Sequence, residues 1–203
     1  MQDNELLTIS IIPVGTLLFI VMLVVSYIFY IYGILVHEAE QEWLADRAYH
    51  DELCGTYNRT KCNERFDELD AGDAEYALIN MDLNGLKTIN DSLGHVQGDL
   101  LLQEFAAILQ DAFSGMGEVF RMGGDEFLVL VRKEQFPLID QCLNKMVRLE
   151  KRRSSELTFN IEAAYGVAKS SECPKESVQK VYMLADRRMY DMKTKQKINQ
   201  RLR

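Results

Sequence analysis

Cysteine, proline and tryptophan are scarce in this sequence. It has four cysteines, three prolines and one tryptophan. The cysteines, which are Cys54, Cys62, Cys142 and Cys173, form no C-x-x-C pair. A disulfide framework is typical of small secreted domains with closely patterned cysteines, so we expect ordinary reduced thiols here.

Positive charge is also in the minority. Lys and Arg number 23 against 31 Asp and Glu, which gives a net charge of −8. Proteins that bind nucleic acid usually present basic surfaces, so we expect no nucleic-acid partner. The length of 203 residues suits one globular domain with a small additional element.

Charged side chains are absent from a long segment near the N-terminus. Residues 6–36 form a run of 31 residues without Asp, Glu, Lys or Arg. A bilayer core of about 30 Å needs roughly 20 helical residues, so this run is long enough to span it. The acidic start argues against a signal peptide, and so long an apolar run is hard to bury in a small protein. We therefore predict that residues 1–36 are an N-terminal transmembrane anchor.

The orientation of this anchor follows from the few charges around it. The tail before the span has no Lys or Arg, whereas Arg47 follows the span. The positive-inside rule then places the C-terminal part in the cytoplasm, on a single-pass protein of the inner membrane. Too few residues precede the span to form a sensor, so the input is expected from a membrane or cytoplasmic signalling partner, from the lipid, or from dimerisation.

Residues 37–50 are polar and favour a helical linker. Val36, Ala39 and Trp43 are spaced like the core positions of a coiled coil, but Asp46 breaks that pattern. A dimeric coiled coil and a solvated single helix therefore both remain open. The remaining residues, 51–203, form the predicted globular domain.

Hydrophobic periodicity changes repeatedly within residues 51–203. The predicted strands cover residues 76–83, 119–122, 127–131 and 157–168. The predicted helices cover residues 99–113, 136–150 and 178–193. Helices mixed with a partly antiparallel sheet indicate the α+β class.

Three carboxylates lie where predicted strands end. Asp82 ends an apolar strand, and Asp125 and Glu126 follow two glycines between two other strands. If these strands are neighbours, the acids converge on one edge of the sheet, where they need a partner or a metal ion. Oxygen ligands without His or Cys suit Mg²⁺. The alternative is a solvated hairpin tip, since Asp and Gly are common in turns.

Two further features offer binding groups. Residues 84–99 are rich in Gly, Asn and Asp and connect a strand to a helix, and an Asn and an Asp such as Asn90 and Asp99 can together read guanine. Asp99 can instead cap its helix, which is the more common role. Seven Lys and Arg residues lie within the last 17 residues, as a solvated helix face or as ligands of a triphosphate.

Together these runs resemble the GGDEF-domain diguanylate cyclases. Residues 123–127 read GGDEF, the signature of that family. Residues 51–59 (DELCGTYNR) resemble its D-x-L-T-G-L-x-N-R opening, and residues 82–87 (DLNGLK) its D-x-D-x-F-K segment. Residues 90–99 (NDSLGHVQGD) resemble N-D-x-x-G-H-x-x-G-D, and residues 185–193 (ADRRMYDMK) resemble A-D-x-A-L-Y-x-A-K. The order is that of the family, and the match extends over residues 51–198.

The resemblance implies a fold, a reaction and roles for residues. The fold is similar to nucleotidyl-cyclase and polymerase palm domains, with a central mixed sheet flanked by helices. The reaction condenses two GTP into cyclic di-GMP and two pyrophosphates, in a homodimer whose domains each hold one GTP. Asp82, the Leu83 carbonyl and Asp125 match ligands of Mg²⁺, with two ions per active site. Asp125 and Glu126 match the catalytic acids, one of which is the base, and Lys87 matches a lysine that steadies the transition state. Asn90 and Asp99 match the guanine readers, and Lys193 matches a phosphate-contacting lysine.

Several positions depart from the family pattern. Lys197 replaces an arginine four residues after Lys193, and so keeps the charge but loses the guanidinium fork. Asn84 stands where a second Asp is common, Leu86 replaces Phe, and Cys54 replaces Thr. Residues 114–117 (SGMG) stand where many members have an R-x-x-D inhibitory site, so we predict no product inhibition through that site.

Two other functions compete with the cyclase. One is a cyclase that makes a mixed GMP–AMP product, which Asp99 disfavours because adenine offers no N1–H to a carboxylate. The other is a catalytically inactive domain that binds GTP and signals by protein contact. Such relatives usually lack an acid of the signature, whereas here all are present.

Overall fold

The computed structural model describes the backbone of residues 2–201 and the side chains of residues 15–38, 40–41 and 48–199. The chain forms two compact units, residues 1–46 and residues 47–203. The long helix α1 (Gln2–Tyr49) makes up the first unit and ends in the second. Its segment Gly15–Glu38 has a mean hydropathy of 2.5 and is long and apolar enough to cross a membrane. The predicted linker, residues 37–50, is helical as far as Tyr49.

The second unit alternates strands and helices around one sheet. Its strands are β1 (Tyr57–Asn58), β2 (Tyr76–Leu83), β3 (Gly117–Gly123), β4 (Glu126–Arg132) and β5 (Ala163–Lys169). Its helices are α2 (Arg59–Asp70), α3 (Leu86–Leu93), α4 (His95–Ala112), α5 (Ile139–Glu156) and α6 (Val178–Arg201), with short 3₁₀ turns at Lys133–Leu138 and Ser170–Glu172.

The sheet is mixed, with the strand order β1-β3-β4-β2-β5. Only β1 and β3 run parallel; the pairs β3–β4, β4–β2 and β2–β5 are antiparallel. β2 lies between two neighbours and is buried along its whole length, which accounts for its nearly continuous apolar sequence. The fold is therefore the predicted α+β architecture, a mixed sheet with helices on both faces.

Alternating side chains of β2 divide the interior into two cores. Ile79 and Met81 face one core together with buried residues of α4 and α5, such as Phe105 and Met146. Leu78 faces the other core, with buried residues of α2 and α6. Asp82 has the same strand parity as Leu78 and so lies on the α2–α6 side of the sheet.

The structure corrects the predicted connection between β2 and its following helix. Residues 86–93 form helix α3, and α4 begins at His95, four residues before the predicted start. Gly94, with φ of +87°, separates the two helices. Leu86, Ile89 and Leu93 have helical spacing, which the surrounding polar residues obscured. Asp99 lies inside α4, so the helix-capping interpretation of Asp99 is wrong.

Other boundaries also differ from the prediction. Helix α2 was not predicted, because only Cys62 in it is buried and its sequence is strongly polar. α5 extends to Glu156, so the predicted strand at 157–168 is shortened to Ala163–Lys169. α6 continues past Lys193 to Arg201. The polar ends of these helices carry no apolar periodicity, so their lengths were underestimated.

Candidate active site

The three predicted acids lie on one rim of the sheet. Asp82, near the end of β2, is directly opposite Glu126, the first residue of β4. Side chains that are directly opposite in an antiparallel pair project from the same face. Asp125 occupies the turn before β4, and its carbonyl accepts a hydrogen bond from the Leu83 N–H at 2.9 Å. The turn is thus tied to the end of β2, which brings the acids together.

Two glycines shape the turn that presents Asp125. Gly123 and Gly124 have φ angles of +137° and +56°, which side-chain-bearing residues rarely adopt. The pairing of β3 with β4 also shifts between Arg121 and Gly123. Such a bulge redirects the chain and aims the residues that follow it.

Arg121 stabilises this turn through hydrogen bonds. Its Nε and Nη2 donate to the Gly124 carbonyl at 3.2 and 2.9 Å, and its Nη1 donates to both carboxylate oxygens of Asp51 at 3.0 and 3.1 Å. Asp51 also accepts from the backbone N–H groups of Leu53 and Cys54. Partial burial raises the pKa of Asp51, but the Cys54 N–H and the guanidinium outweigh it and leave that pKa below its ordinary value. The N-terminal turn of the domain is therefore joined to the acidic turn by one guanidinium.

The rim has an excess of negative charge. The pKa of Glu126 is raised, first by partial burial and then by the neighbouring charges of Asp125, Asp82 and Asp186. Two cations offset this potential in part: Lys193 Nζ donates to Asp82 Oδ1 at 2.5 Å, and the charge of Arg59 lowers the pKa of Glu126. A rim where three carboxylates raise the pKa of a fourth is suited to a cation.

The donor set at the rim fits Mg²⁺ that is shared with a nucleotide. Within residues 15–38, 40–41 and 48–199, no three His, Cys, Asp or Glu side chains are grouped to hold a metal by themselves. Mg²⁺ commonly uses one or two carboxylates and completes its shell with water and substrate phosphates. Asp82, Asp125 and the Leu83 carbonyl correspond to that kind of incomplete site.

A lysine-rich cavity of about 350 Å³ opens beside Asp125. We call it the lysine cavity. It is lined by Leu83, Asn84, Gly85, Leu86, Lys87, Thr88, Asp125, Lys193, Gln196 and Lys197. Three predicted functional lysines, Lys87, Lys193 and Lys197, therefore line one cavity, although Lys87 is more than 100 residues before the other two in the sequence. Three ammonium groups next to a carboxylate rim suit a polyphosphate with a bound cation.

The two predicted guanine readers lie elsewhere, on α3 and α4. Neither Asn90 nor Asp99 lines the lysine cavity. Asn90 Oδ1 is buried without a hydrogen-bond partner, and Asp99 is exposed. Asn90 packs against Gly98, where a Cβ atom would stand 1.9 Å from Asn90 Oδ1. The close approach of the two helices thus places the Asn90 amide and depends on glycine at position 98.

Several polar contacts near the rim were not predicted from the sequence. Arg121, which lies two residues before the signature, was not among the predicted site residues. Asn80, which is 2% exposed, donates to Asp186 Oδ1 at 3.0 Å. An Asn within an otherwise apolar strand is a signal that would have identified Asn80. Gln196 bonds to two separate segments of the domain, and nothing in its sequence context indicated this.

Comparisons with known proteins identify the family of the domain that carries this site. The sequence model of the family described as "Diguanylate cyclase, GGDEF domain" matches residues 48–199. Diguanylate cyclase DgcS of Shewanella oneidensis is 28% identical over 163 residues, which cover 78% of this chain and 54% of that protein. The chain thus spans about half the length of this curated relative.

Solved structures show the same fold. The coiled coil and GGDEF domain of DgcB from Caulobacter crescentus, in complex with c-di-GMP, aligns with a TM-score of 0.68 and 24% identity, covering 79% of this chain and 88% of that one. Diguanylate cyclase SiaD from Pseudomonas aeruginosa, in complex with its activator SiaC, aligns with a TM-score of 0.68 and 23% identity, covering 84% and 67%. With the family match across three quarters of the sequence, the chain belongs to the GGDEF-domain diguanylate cyclase family.

Proposed function

We propose that this chain is an active diguanylate cyclase that condenses two GTP into cyclic di-GMP and two pyrophosphates. The observation that carries the proposal is the rim of Asp82, Asp125 and Glu126 beside the lysine cavity. A rim of acids alone would suit many cations, and lysines alone would suit many anions. Their adjacency suits a nucleoside triphosphate that arrives with Mg²⁺.

In this proposal the phosphates lie in the lysine cavity. Lys87, Lys193 and Lys197 offset the charge that develops on the oxygens of the transferred group. Asp82, the Leu83 carbonyl and Asp125 would hold Mg²⁺, with two ions per site. Bound there, Mg²⁺ supplies charge neutralisation and Lewis acidity at the α-phosphate.

The reaction runs twice. The 3′-oxygen of one GTP forms a bond to the α-phosphorus of the other, the bond to the bridging α–β oxygen breaks, and pyrophosphate leaves. The 3′-hydroxyl proton passes to a rim carboxylate, for which Glu126 is suited because its raised pKa makes it a better base than an ordinary carboxylate.

In this proposal, residues of α3 and α4 recognise the guanine of GTP. Asp99 accepts from the guanine N1–H and the N2 amine, and the unpartnered amide oxygen of Asn90 accepts a further donor. Leu93 and Val96, which are 49% and 78% exposed, add apolar surface on the same two helices. Residues 114–117 contain no Arg or Asp, so we propose that the enzyme lacks product inhibition through the primary inhibitory site.

The enzyme acts, in this proposal, as a homodimer at the inner face of the membrane. Each domain holds one GTP, so both domains must face each other for chemistry. An N-terminal span in each subunit raises the local concentration of the partner domain. Input then arises from whatever changes dimer geometry, including a membrane or cytoplasmic signalling partner.

Purified full chain with GTP and Mg²⁺ tests the proposal. We expect cyclic di-GMP from the wild type and a loss of at least about 100-fold in kcat for Asp125→Ala, which removes a rim carboxylate. Asp140→Ala, an exposed carboxylate in the first turn of α5, is the matched control and should keep wild-type turnover. Binding of GTP without turnover would instead support the inactive GTP-binding function.

A further inference from the structure

The last turns of α6 are not held by buried apolar side chains. Met189, which is 6% exposed, is the last buried residue of this helix within the described residues. Up to that point α6 lies directly on β5, where a Cβ at Gly166 would stand 2.1 Å from the Ala185 carbonyl oxygen. Beyond it, Lys195, Lys197 and Ile198 are exposed. Half-buried Met192, whose Sδ accepts from the Tyr165 N–H at 3.3 Å, and polar side-chain contacts therefore hold the segment that carries Lys193 and Lys197.

Gln196 makes two of these polar contacts. Its Oε1 accepts from Asn84 Nδ2 at 3.1 Å, and its Nε2 donates to the Ala163 carbonyl at 3.2 Å. Asn84 lies just after β2, and Ala163 is the first residue of β5. One side-chain amide thus connects three separate segments; we call this the Gln196 link.

The link is anchored to the acidic rim through the backbone. Asn84 N–H donates to the Glu162 carbonyl at 2.9 Å, and the preceding N–H, of Leu83, donates to the Asp125 carbonyl at 2.9 Å. The loop that Gln196 contacts is therefore the same loop that is tied to the Asp125 turn. Displacement of Gln196 would loosen the lysines relative to that turn.

Helical spacing places Gln196 with the two lysines. Residues three and four apart lie on the same side of a helix, so Lys193, Gln196 and Lys197 share a face. All three line the lysine cavity. Both polar ends of the Gln196 amide have protein partners, so the amide can tie the lysine-bearing turn to the loop after β2 and to β5.

We infer that Gln196 is a positioning residue that holds Lys193 and Lys197 at the polyphosphate of the bound nucleotide. The inference rests on the proposed function, because the ligand is the GTP of that reaction. It predicts that loss of the link weakens nucleotide binding more than it slows chemistry. Asp125, Glu126 and the turn clamped by Arg121 keep their own contacts when Gln196 is shortened.

The test compares Gln196→Ala with Asn199→Ala in the full chain, purified in detergent. Asn199 is an exposed amide on the same helix, three residues further on. For Gln196→Ala we expect the KM for GTP to rise about tenfold with kcat changed by less than about threefold, which is the pattern of lost binding energy. Amide hydrogen exchange of residues 193–199 should become several-fold faster. Asn199→Ala should change neither quantity.

A double-mutant comparison separates the link from general damage. Because Asn84 and Gln196 act through one hydrogen bond, Asn84→Ala combined with Gln196→Ala should raise the KM less than the product of the two single effects. Fully multiplicative effects would overturn the inference, as would a Gln196→Ala protein with unchanged KM and exchange.

Affinity for a non-hydrolysable GTP analogue with Mg²⁺ separates this inference from the proposed function. If the wild type binds the analogue but makes no product, the cyclase proposal fails, and the tenfold affinity difference still decides the role of Gln196. If the wild type binds no analogue at all, both fail. If it makes product and Gln196→Ala binds the analogue as the wild type does, only the inference on Gln196 fails.

Discussion

Removal of the Arg121 guanidinium should both destabilise the domain and slow the reaction. In Arg121→Ala the Gly124 carbonyl loses both of its side-chain donors, and Asp51 loses its ion pair. The Asp51 side chain is only 23% exposed, so its charge would be left partly desolvated without that partner. The turn that presents Asp125 would at the same time lose its support.

The magnitude follows from these contacts. Hydrogen bonds to charged groups contribute about 1.5–3 kcal/mol each in net terms, and the contacts of Arg121 act together, not additively. We therefore expect the free energy of unfolding to fall by about 3 kcal/mol, which corresponds to a decrease in Tm of roughly 6–12 °C for a domain of this size. Arg121→Lys keeps the charge but loses the planar fork, so it should recover only part of the loss.

Urea unfolding and GTP turnover measure the two effects. The control is Arg132→Ala on the neighbouring strand, whose side chain is 74% exposed and stands 3.8 Å from Glu118. A surface pair of this kind contributes roughly 0–1 kcal/mol, so this variant should unfold and turn over like the wild type. If Arg121→Ala and Arg132→Ala had equal effects on unfolding and turnover, Arg121 would not support the turn that presents Asp125.

The ion pair between Asp51 and Arg121 predicts that the stability of the domain depends on pH. The pKa of Asp51 is lowered in the folded protein, so its contribution to stability is present above the unfolded value of about 3.9 and is lost as the pH falls through the folded value. The stability difference between wild type and Arg121→Ala should therefore shrink in acid below about pH 4. A difference that stays constant from pH 6 down to the acid transition contradicts this assignment.

Two further substitutions affect the proposed guanine site and the acidic rim. Gly98→Ala puts a Cβ atom 1.9 Å from Asn90 Oδ1, so we expect about 1–3 kcal/mol of destabilisation by urea unfolding and a raised KM for GTP. Asp186→Asn removes a charge that raises the pKa of Glu126 while leaving an oxygen to accept from Asn80, so the acid limb of kcat/KM should move to lower pH.

Each of these has a control. Gly72→Ala places its Cβ at an ordinary 3.4 Å from the Glu68 carbonyl oxygen and should leave the KM unchanged. Asp191→Asn, an exposed carboxylate on the same helix as Asp186, should leave the acid limb where it is. If the acid limb of kcat/KM does not move in Asp186→Asn, Glu126 does not set the pH dependence of kcat/KM.

The sequence predicted the sheet-edge geometry well because two simple rules govern it. The apolar run of β2 and the glycine turn between β3 and β4 were recognised from periodicity and turn chemistry, and antiparallel pairing then places Asp82 opposite Glu126. The predicted role of each acid remains a proposal. The meeting of Lys87 with Lys193 and Lys197 could not be read from periodicity, because it depends on where α6 packs against β5.

The polar contacts that orient these groups were not predictable in the same way. Arg121 and Asp51 are 70 residues apart, and Asn84 and Gln196 are 112 residues apart. Neither hydrogen bond leaves a local pattern, because side-chain amides and guanidiniums find partners only after the chain has folded. The helices α2 and α3 were missed for a related reason, since their polar composition conceals short apolar faces.

The most direct test of the cyclase activity is the ratio of products formed by the full chain from GTP and Mg²⁺. Chromatography of the nucleotides with a parallel pyrophosphate assay measures it. A diguanylate cyclase built on Asp82, Asp125 and Glu126 releases two pyrophosphates for each cyclic di-GMP, and Asp125→Ala lowers both signals together by at least about 100-fold. Wild-type protein that binds GTP yet releases neither product would contradict the proposed cyclase activity.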